Sequence, residues 1–232
     1  MPEAVRRFPQ RIYRVPPGAT ELLLVRHGAS AAAEEGREFP ALGVHSDPPL
    51  APEGHEQAKA VCERLAGVRI DGVVVTPLRR TAETAAPLLG ALGLEPLVEH
   101  DLREVHLGEW EGGLFRQKVA DRDPVAVRMF SEERWDVIPG AERNEDFARR
   151  VRAGVDRVVG AFPGRTVAVF THGGVIGSIL AQATGARPFA FVGVDNASIS
   201  RLVVDQDRWT VRGYNDIAHL DGVGDGDGGE VD

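Results

Sequence analysis

The sequence predicts a three-layer α/β/α sandwich built on a mostly parallel central sheet, and three observations carry that expectation. Short apolar runs rich in branched residues, "ELLLV" (21–25), "GVVV" (72–75) and "TVAVF" (166–170), read as strands buried on both faces. Longer segments between and after them repeat apolar residues at three and four positions, the period of an amphipathic helix. The order strand, helix, strand, helix is that of an α/β fold, and 232 residues with 43% hydrophobic content suffice for one sizeable core.

The elements follow in order along the chain. Residues 1–19 are rich in Pro and Arg and read as an N-terminal arm, extended over the domain or partly mobile. The first strand, 21–25, runs directly into Arg26, His27 and Gly28. A helix over 53–66 carries the single cysteine, Cys62, as a small packing residue, so no disulfide forms within the chain. The strand 72–75 leads to a helix over 79–92, and a helix over 144–161 presents Val151, Val155, Val158 and Val159 on one face. After the strand 166–170 comes a helix over 174–183, and "SISRLVV" with "RWTVRGY" reads as a closing hairpin. The domain is expected to span 20–219, with 113–143 as an inserted lid segment and 220–232 as an acidic, Gly-rich tail.

Charge and hydropathy exclude several functions. A formal net charge of -8 argues against binding nucleic acid or a membrane surface, so an anionic substrate must be attracted locally. No segment reaches the roughly 18 apolar residues that a membrane span requires, and no leader-like run opens the chain, which makes the cytoplasm the expected compartment.

The chemistry lies at the strand ends. Ligands of open α/β sheets bind outside the carboxyl ends of the strands, and three predicted strands end in Arg26-His27-Gly28, Thr76-Pro77-Leu78-Arg79-Arg80 and Thr171-His172-Gly173-Gly174. "THGGVIG" is not a dinucleotide fingerprint, because His172 stands where that pattern needs its first glycine. Arg26 and Arg80 would oppose a metal cation, so no metal is expected. Two histidines among arginines suit a phosphoryl group: the guanidinium forks offset the charge on its oxygens, and a neutral imidazole can attack phosphorus.

At these residues the sequence resembles the histidine phosphatase superfamily, in its phosphoglycerate mutase-like branch. The resemblance rests on "LLLVRHGAS", "DPPLAPEGHEQA" (47–58), "VVVTPLRRTAETA" (73–85), "LREVHLGEWEG" (102–112), "PGAE" (139–142) and "VAVFTHGGVIGSIL" (167–180), in family order over about two-thirds of the chain. It implies a phosphoglycerate mutase-like fold, no cofactor and a phosphohistidine intermediate. It makes His27 the nucleophile, with Arg26, Arg80 and His172 on the phosphate, Glu104 as acid and base, and Gly28 and Gly173 at points of close backbone approach. Gly54 and Gln57 read as packing and register residues of their helix, and Glu109 and Glu111 as loop and helix-start residues.

Departures from the family shape the functional expectation. Ala29 and Ala33 replace the Glu and Asn of the family's "RHGESxxN", and Leu50-Ala51 replaces its "LT". Arg37 and His45, in the loop 34–46, are candidates to line the pocket mouth. The insert offers Arg116, Lys118, Arg122 and Arg128, offset by acidic neighbours, while Val125, Met129, Phe130 and Trp135 either roof the pocket or pack a small core of their own. These features favour a metal-independent phosphomonoesterase for a small phosphorylated metabolite over a mutase, and both over a non-catalytic phosphate-binding module, which would be expected to have lost part of the Arg26, His27, Arg80 and His172 set. Family resemblance also admits a homodimer, for which the sequence holds no heptad or edge-strand signal.

Overall fold

The structure is a computed structural model and describes residues 8–223. Eight strands are found there: β1 (Thr20–Arg26), β2 (Ala41–Leu42), β3 (His45–Ser46), β4 (Gly72–Val75), β5 (Leu97–Val98), β6 (Thr166–Thr171), β7 (Ile199–Asp205) and β8 (Arg208–Asp216). Six helices accompany them: α1 (Pro52–Leu65), α2 (Arg79–Leu92), α3 (Leu114–Ala120), α4 (Pro124–Glu132), α5 (Asn144–Ala161) and α6 (Gly173–Thr184). The central sheet has the order β5-β4-β6-β1-β7-β8. Its first four strands are parallel, and β7 and β8 join antiparallel as the expected hairpin.

Strand β1 shows why the run is apolar throughout. Leu22 and Leu24 face one core, with α5, α6 and the inserted segment, while Leu23 and Val25 face the other, with α1 and α2. A strand covered on both sides has no solvent face on which to alternate. The layers are therefore helix, sheet, helix, as the sequence predicts.

Helix boundaries follow local chemistry. Pro52 begins α1, where its missing N–H costs nothing, and Gly93 and Gly185 end α2 and α6 in the left-handed conformation at φ 64° and 67°. The inserted segment does not form a separate core: Met129 and Trp135 join the cluster on the α5 side of the sheet, and Trp135 also faces the cavity described below. Phe130 is 44% exposed against Phe189. Residues 8–19 hold no helix or strand, and Arg212 of β8 stacks on Tyr13 at 3.7 Å. The expected tail lies outside the described residues from 224 onward, while Leu220 packs against the α1 side of the core. Among the described residues no helix is long and apolar enough to cross a membrane.

Among the described glycines the closest backbone approach joins α1 to the turn after β1. A Cβ on Gly54 would lie 2.0 Å from the carbonyl oxygen of Ala29, and one on Gly28 would lie 2.6 Å from that of Gly54. Both neighbours are backbone and cannot rotate away. Gly54→Ala is thus expected to destabilise by about 1–3 kcal/mol, the cost of overpacking, in urea titrations. A neutral result would show that α1 can slide without disturbing the turn.

Candidate active site

The turn from Arg26 to Ala29 spends its backbone polar groups on four other segments. Arg26 N–H donates to Ser198 O at 3.2 Å and His27 N–H to Thr171 O at 2.9 Å, while the amide of Ala197 donates to the carbonyls of both. Asn196 Nδ2 donates to His27 O at 2.9 Å, Gly28 N–H to Thr84 Oγ1 at 3.0 Å and Ala29 N–H to Gln57 Oε1 at 2.8 Å. Gln57 and Gly54 therefore act as packing and register residues, as their sequence context suggests, and what they hold in register is this turn. Gly28 is required by α1, because a Cβ there would meet the carbonyl of Gly54. A Cβ on Gly173 would sit at an ordinary 3.5 Å from Arg26 Nε, whereas one on Gly174 would lie 2.5 Å from Glu104 Oε1, so the sterically critical glycine of that pair is Gly174.

Two hydrogen bonds define the tautomer of His27. Nδ1 lies 2.7 Å from Gly28 O, which can only accept, and Arg80 Nε, which can only donate, lies 3.2 Å from Nε2. The proton is consequently on Nδ1, and Nε2 holds a lone pair. Burial lowers the His27 pKa well below its ordinary value, and the charges of Arg80 and Arg26 reinforce the shift. The imidazole is neutral, as a nucleophile must be.

His172 lies behind it, fully buried, with ring centroids 5.3 Å apart. Its Nε2 meets Thr76 Oγ1 at 3.0 Å, and burial followed by the Arg80 charge lowers its pKa well below the usual value. Arg80, lowered to about 10 mainly by burial, donates through Nη1 to Ser46 O at 3.0 Å. Arg26 Nη1 donates to Val194 O. Arg26 Nε and His172 Nδ1 are buried without a partner among the described residues. Such groups are costly unless something satisfies them, and an anion in the cavity suits the arginine donor.

Glu104 faces this cluster from the loop after β5. Its carboxylate accepts from Val105 N–H at 3.0 Å and from Gly174 N–H, in the first turn of α6, at 3.2 Å. Arg150 of α5 fixes the loop by donating to the carbonyls of Asp101, Arg103 and Glu104 at 2.7, 2.7 and 2.8 Å, and it pairs with both oxygens of Glu142 at 2.7 Å.

A cavity of about 260 Å³ opens between these groups. Arg26, His27, Arg80 and Glu104 line it. His45 lines it as well, with its pKa lowered to about 4 chiefly by burial. Arg37 does not: its side chain is 76% exposed and pairs with Glu34 at 3.1 Å, which corrects the expectation that it helps form the mouth. The remaining wall is more aromatic than the motifs foretell, with Phe39, Trp110, Phe115 and Trp135. Glu111 accepts from Leu107 N–H at 2.9 Å and Ser46 N–H at 2.7 Å, and so staples β3 to the loop that carries Glu104. Trp135 is one of the insert residues expected to roof the pocket or pack a small core, and of the other aromatics only Trp110, in the "GEW" of a motif otherwise read for its carboxylates, lies within a family motif.

Keeping two histidines neutral makes stability depend on pH with a definite sign. Unfolded, they titrate near 6.5; folded, their pKa values lie well below that. Above about pH 6.5 neither state binds the protons and stability is flat, while below it only the unfolded chain does, so stability falls by about 1.4 kcal/mol per pH unit for each histidine. Urea titrations from pH 7.5 to 5 are expected to show this decline, shallower in His27→Gln. Parallel slopes in the two proteins would contradict the assignment.

Comparison with known proteins agrees with this geometry. The chain is 34% identical over 209 residues to Phosphoglycerate mutase-like protein 4 of Arabidopsis thaliana, covering 88% of each. It is 30% identical over 212 residues to the Metal-independent phosphoserine phosphatase of the same plant, covering 88% of this chain and 85% of that one. Among solved structures, a mycobacterial glucosyl-3-phosphoglycerate phosphatase superposes with a TM-score of 0.69 at 28% identity, over 85% of this chain and 99% of the other. Residues 22–217 match the family model of the histidine phosphatase superfamily (branch 1), and the chain belongs to that superfamily.

Proposed function

We propose that the protein is a metal-independent phosphomonoesterase that works through a phosphohistidine and acts on a small phosphorylated metabolite. The observation that carries this reading is the tautomer of His27: Nε2 bears a lone pair at the cavity wall, beside an arginine that can hold phosphate oxygens. Nε2 attacks phosphorus, and the ester oxygen departs with the proton of Glu104. Water then attacks the phosphohistidine, Glu104 takes its proton, and the P–N bond breaks to release phosphate and restore neutral His27. Arg26 and Arg80 hold the phosphoryl oxygens in both steps, and His172, outside the cavity lining, backs His27 from behind. Small cavity size favours a small substrate.

Several details support a phosphatase over a mutase. Ala51 has no hydroxyl to offer a substrate, and its amide is used on Ala29 O at 2.9 Å. Of the insert cations, Lys118 is paired with Asp123 and Arg128 with Glu132, and only Arg116 lines the cavity. A mutase needs basic groups that retain and reorient its substrate, and this pocket supplies few. Relatives carry both kinds of name, so the distinction is experimental: phosphate release, as against conversion between phosphoglycerate isomers.

With p-nitrophenyl phosphate, turnover is expected to continue in EDTA. His27→Ala is expected to remain folded by circular dichroism while losing both turnover and acid-labile phosphate incorporation. Normal activity in that variant would remove His27 from its role. Glu104 is tested more gently by Gly174→Ala, whose methyl displaces the end of a flexible side chain and leaves the fold intact. Rates with alkyl phosphates are expected to fall about 10- to 100-fold, more than with p-nitrophenyl phosphate, because only the poorer leaving group needs the proton. An equal loss on both would argue against Glu104 as the acid.

A further inference from the structure

The turn that carries His27 is gripped by a residue in a strained conformation. Ala197, fully buried in the loop before β7, has φ 59°, in the left-handed region that an L side chain disfavours. In that conformation its N–H reaches two carbonyls at once, those of Arg26 at 3.0 Å and His27 at 3.2 Å. Its neighbours serve the same turn: Val194 O accepts from Arg26 Nη1, Asn196 Nδ2 donates to His27 O, and Ser198 O accepts from Arg26 N–H. A strained backbone persists only where its surroundings over-determine it, so the opposite side of Ala197 needs a holder of its own.

His219 stands at that side. It lies in a short 3₁₀ turn, Ala218–Leu220, that follows β8, and its Nε2 is 3.1 Å from Ala197 O. A carbonyl only accepts, so the proton is on Nε2. Nδ1 is buried without a partner among the described residues, and burial lowers the pKa of the ring, so the neutral imidazole spends its one N–H on Ala197. The turn is anchored independently of this contact. Arg64 of α1 pairs with Asp216 at 3.1 Å, Asp216 Oδ1 accepts from Ala218 N–H at 3.1 Å, and Leu220 packs against the α1 side of the core. Asn215 braces the same loop: its Oδ1 accepts from Asp195 N–H at 2.8 Å and its Nδ2 donates to Asp195 Oδ2 at 2.5 Å. Helix α1, which presses on the nucleophile's turn through Gly54, thus also steadies the far side of the loop that grips it.

We propose that His219 is a positioning residue for the nucleophile: by holding the Ala197 carbonyl it keeps that residue left-handed, with its N–H aimed at the carbonyls of Arg26 and His27. His219 does not line the cavity, so its effect on the reaction runs through the backbone. If Ala197 relaxed into an ordinary right-handed or extended conformation, its N–H would swing off both carbonyls and the imidazole would lose its fixed aim at phosphorus. A displacement of about 1 Å at a reacting group can cost about 100-fold in rate. The catalytic part of this role rests on the phosphomonoesterase reading; the backbone linkage does not.

Two variants that carry the same carboxamide separate reach from polarity. In His219→Gln the amide nitrogen stands where Nε2 does and can donate to Ala197 O, whereas in His219→Asn it ends near the place of Nδ1 and cannot. With the full chain and p-nitrophenyl phosphate, kcat/KM is expected to fall about tenfold in His219→Asn and to stay within about threefold of the wild type in His219→Gln. The inhibition constant of inorganic phosphate is expected to change by less than about threefold in both. Glycine is left-handed without support, so in an Ala197→Gly background the His219→Asn loss is expected to shrink to less than about threefold. The proposal would be overturned by wild-type kcat/KM in His219→Asn, by an equal fall in both variants, by a phosphate constant that rises in parallel with the loss, or by a loss that persists undiminished in the Ala197→Gly background. Absence of turnover in the wild type would defeat the phosphomonoesterase reading instead, and amide hydrogen exchange at residue 197, read by NMR, would still decide the linkage. Exchange about tenfold faster in His219→Asn and unchanged in His219→Gln supports it, and equal rates in all three proteins overturn it.

Discussion

The site depends on an electrostatic constraint: positive charge must be concentrated around an imidazole that stays uncharged. Arg26, Arg80 and Arg116 are all tethered by carbonyl oxygens, those of Val194, Ser46 and Ala31 respectively. A carbonyl fixes the direction of a guanidinium without cancelling its charge. Arginines elsewhere are treated differently: Arg150 is paired with Glu142, and Arg157 with Glu99 and Asp101. Among the described residues, Arg80 alone of the three pocket arginines has a carboxylate within ion-pair range, Asp47 at 3.9 Å, too far for a direct hydrogen bond. The field is left for a ligand to neutralise, and burial keeps it strong.

Such a field would unsettle a turn that could move, and the sheet order explains why this one cannot. Strands β4, β6 and β1 are adjacent, so their carboxyl ends deliver Thr76 and Arg80, His172, and Arg26 and His27 to neighbouring positions. Antiparallel β7 lies on the other side of β1, and the segment before it returns Asn196, Ala197 and Ser198 to the carbonyls and amides of the Arg26–His27 turn. Helix α1 presses on the same turn through Gly54. The supports of the nucleophile are thus strands and helices with their own place in a core, together with one loop, 196–198, that is buried at Ala197 and Ser198.

Much of this was legible in the sequence because it is local. A strand covered on both faces must be apolar without alternation, and "ELLLV", "GVVV" and "TVAVF" mark the centre of the sheet to within a residue. The four long helices likewise follow from periodicity. Strand β5 was not legible: Leu97 and Val98 are 39% and 48% exposed, and two residues at an edge leave no pattern to read. The hairpin β2–β3 was missed for the same reason. Within the site, the positions of Arg26, His27, Arg80, Glu104 and His172 follow from motif and topology. The separation of Arg37 from His45 does not, because it depends on which way a loop turns, and the reason for Gly28 lies in a helix 26 residues further on, at Gly54.

The acidic character of the chain and the cationic pocket are compatible because they act over different distances. At physiological ionic strength the field of exposed carboxylates decays over about 8 Å, whereas guanidinium groups in a desolvated cavity are screened far less. Arg103, Arg150 and Arg157 bind the loop that carries Glu104 through carboxylates and carbonyls, so negative residues near the site are largely committed to structure. The protein can therefore hold a formal charge of -8 and still present an anion with a locally positive surface. A basic protein would gain attraction for every polyanion in its surroundings, whereas this arrangement confines attraction to ligands small enough to enter.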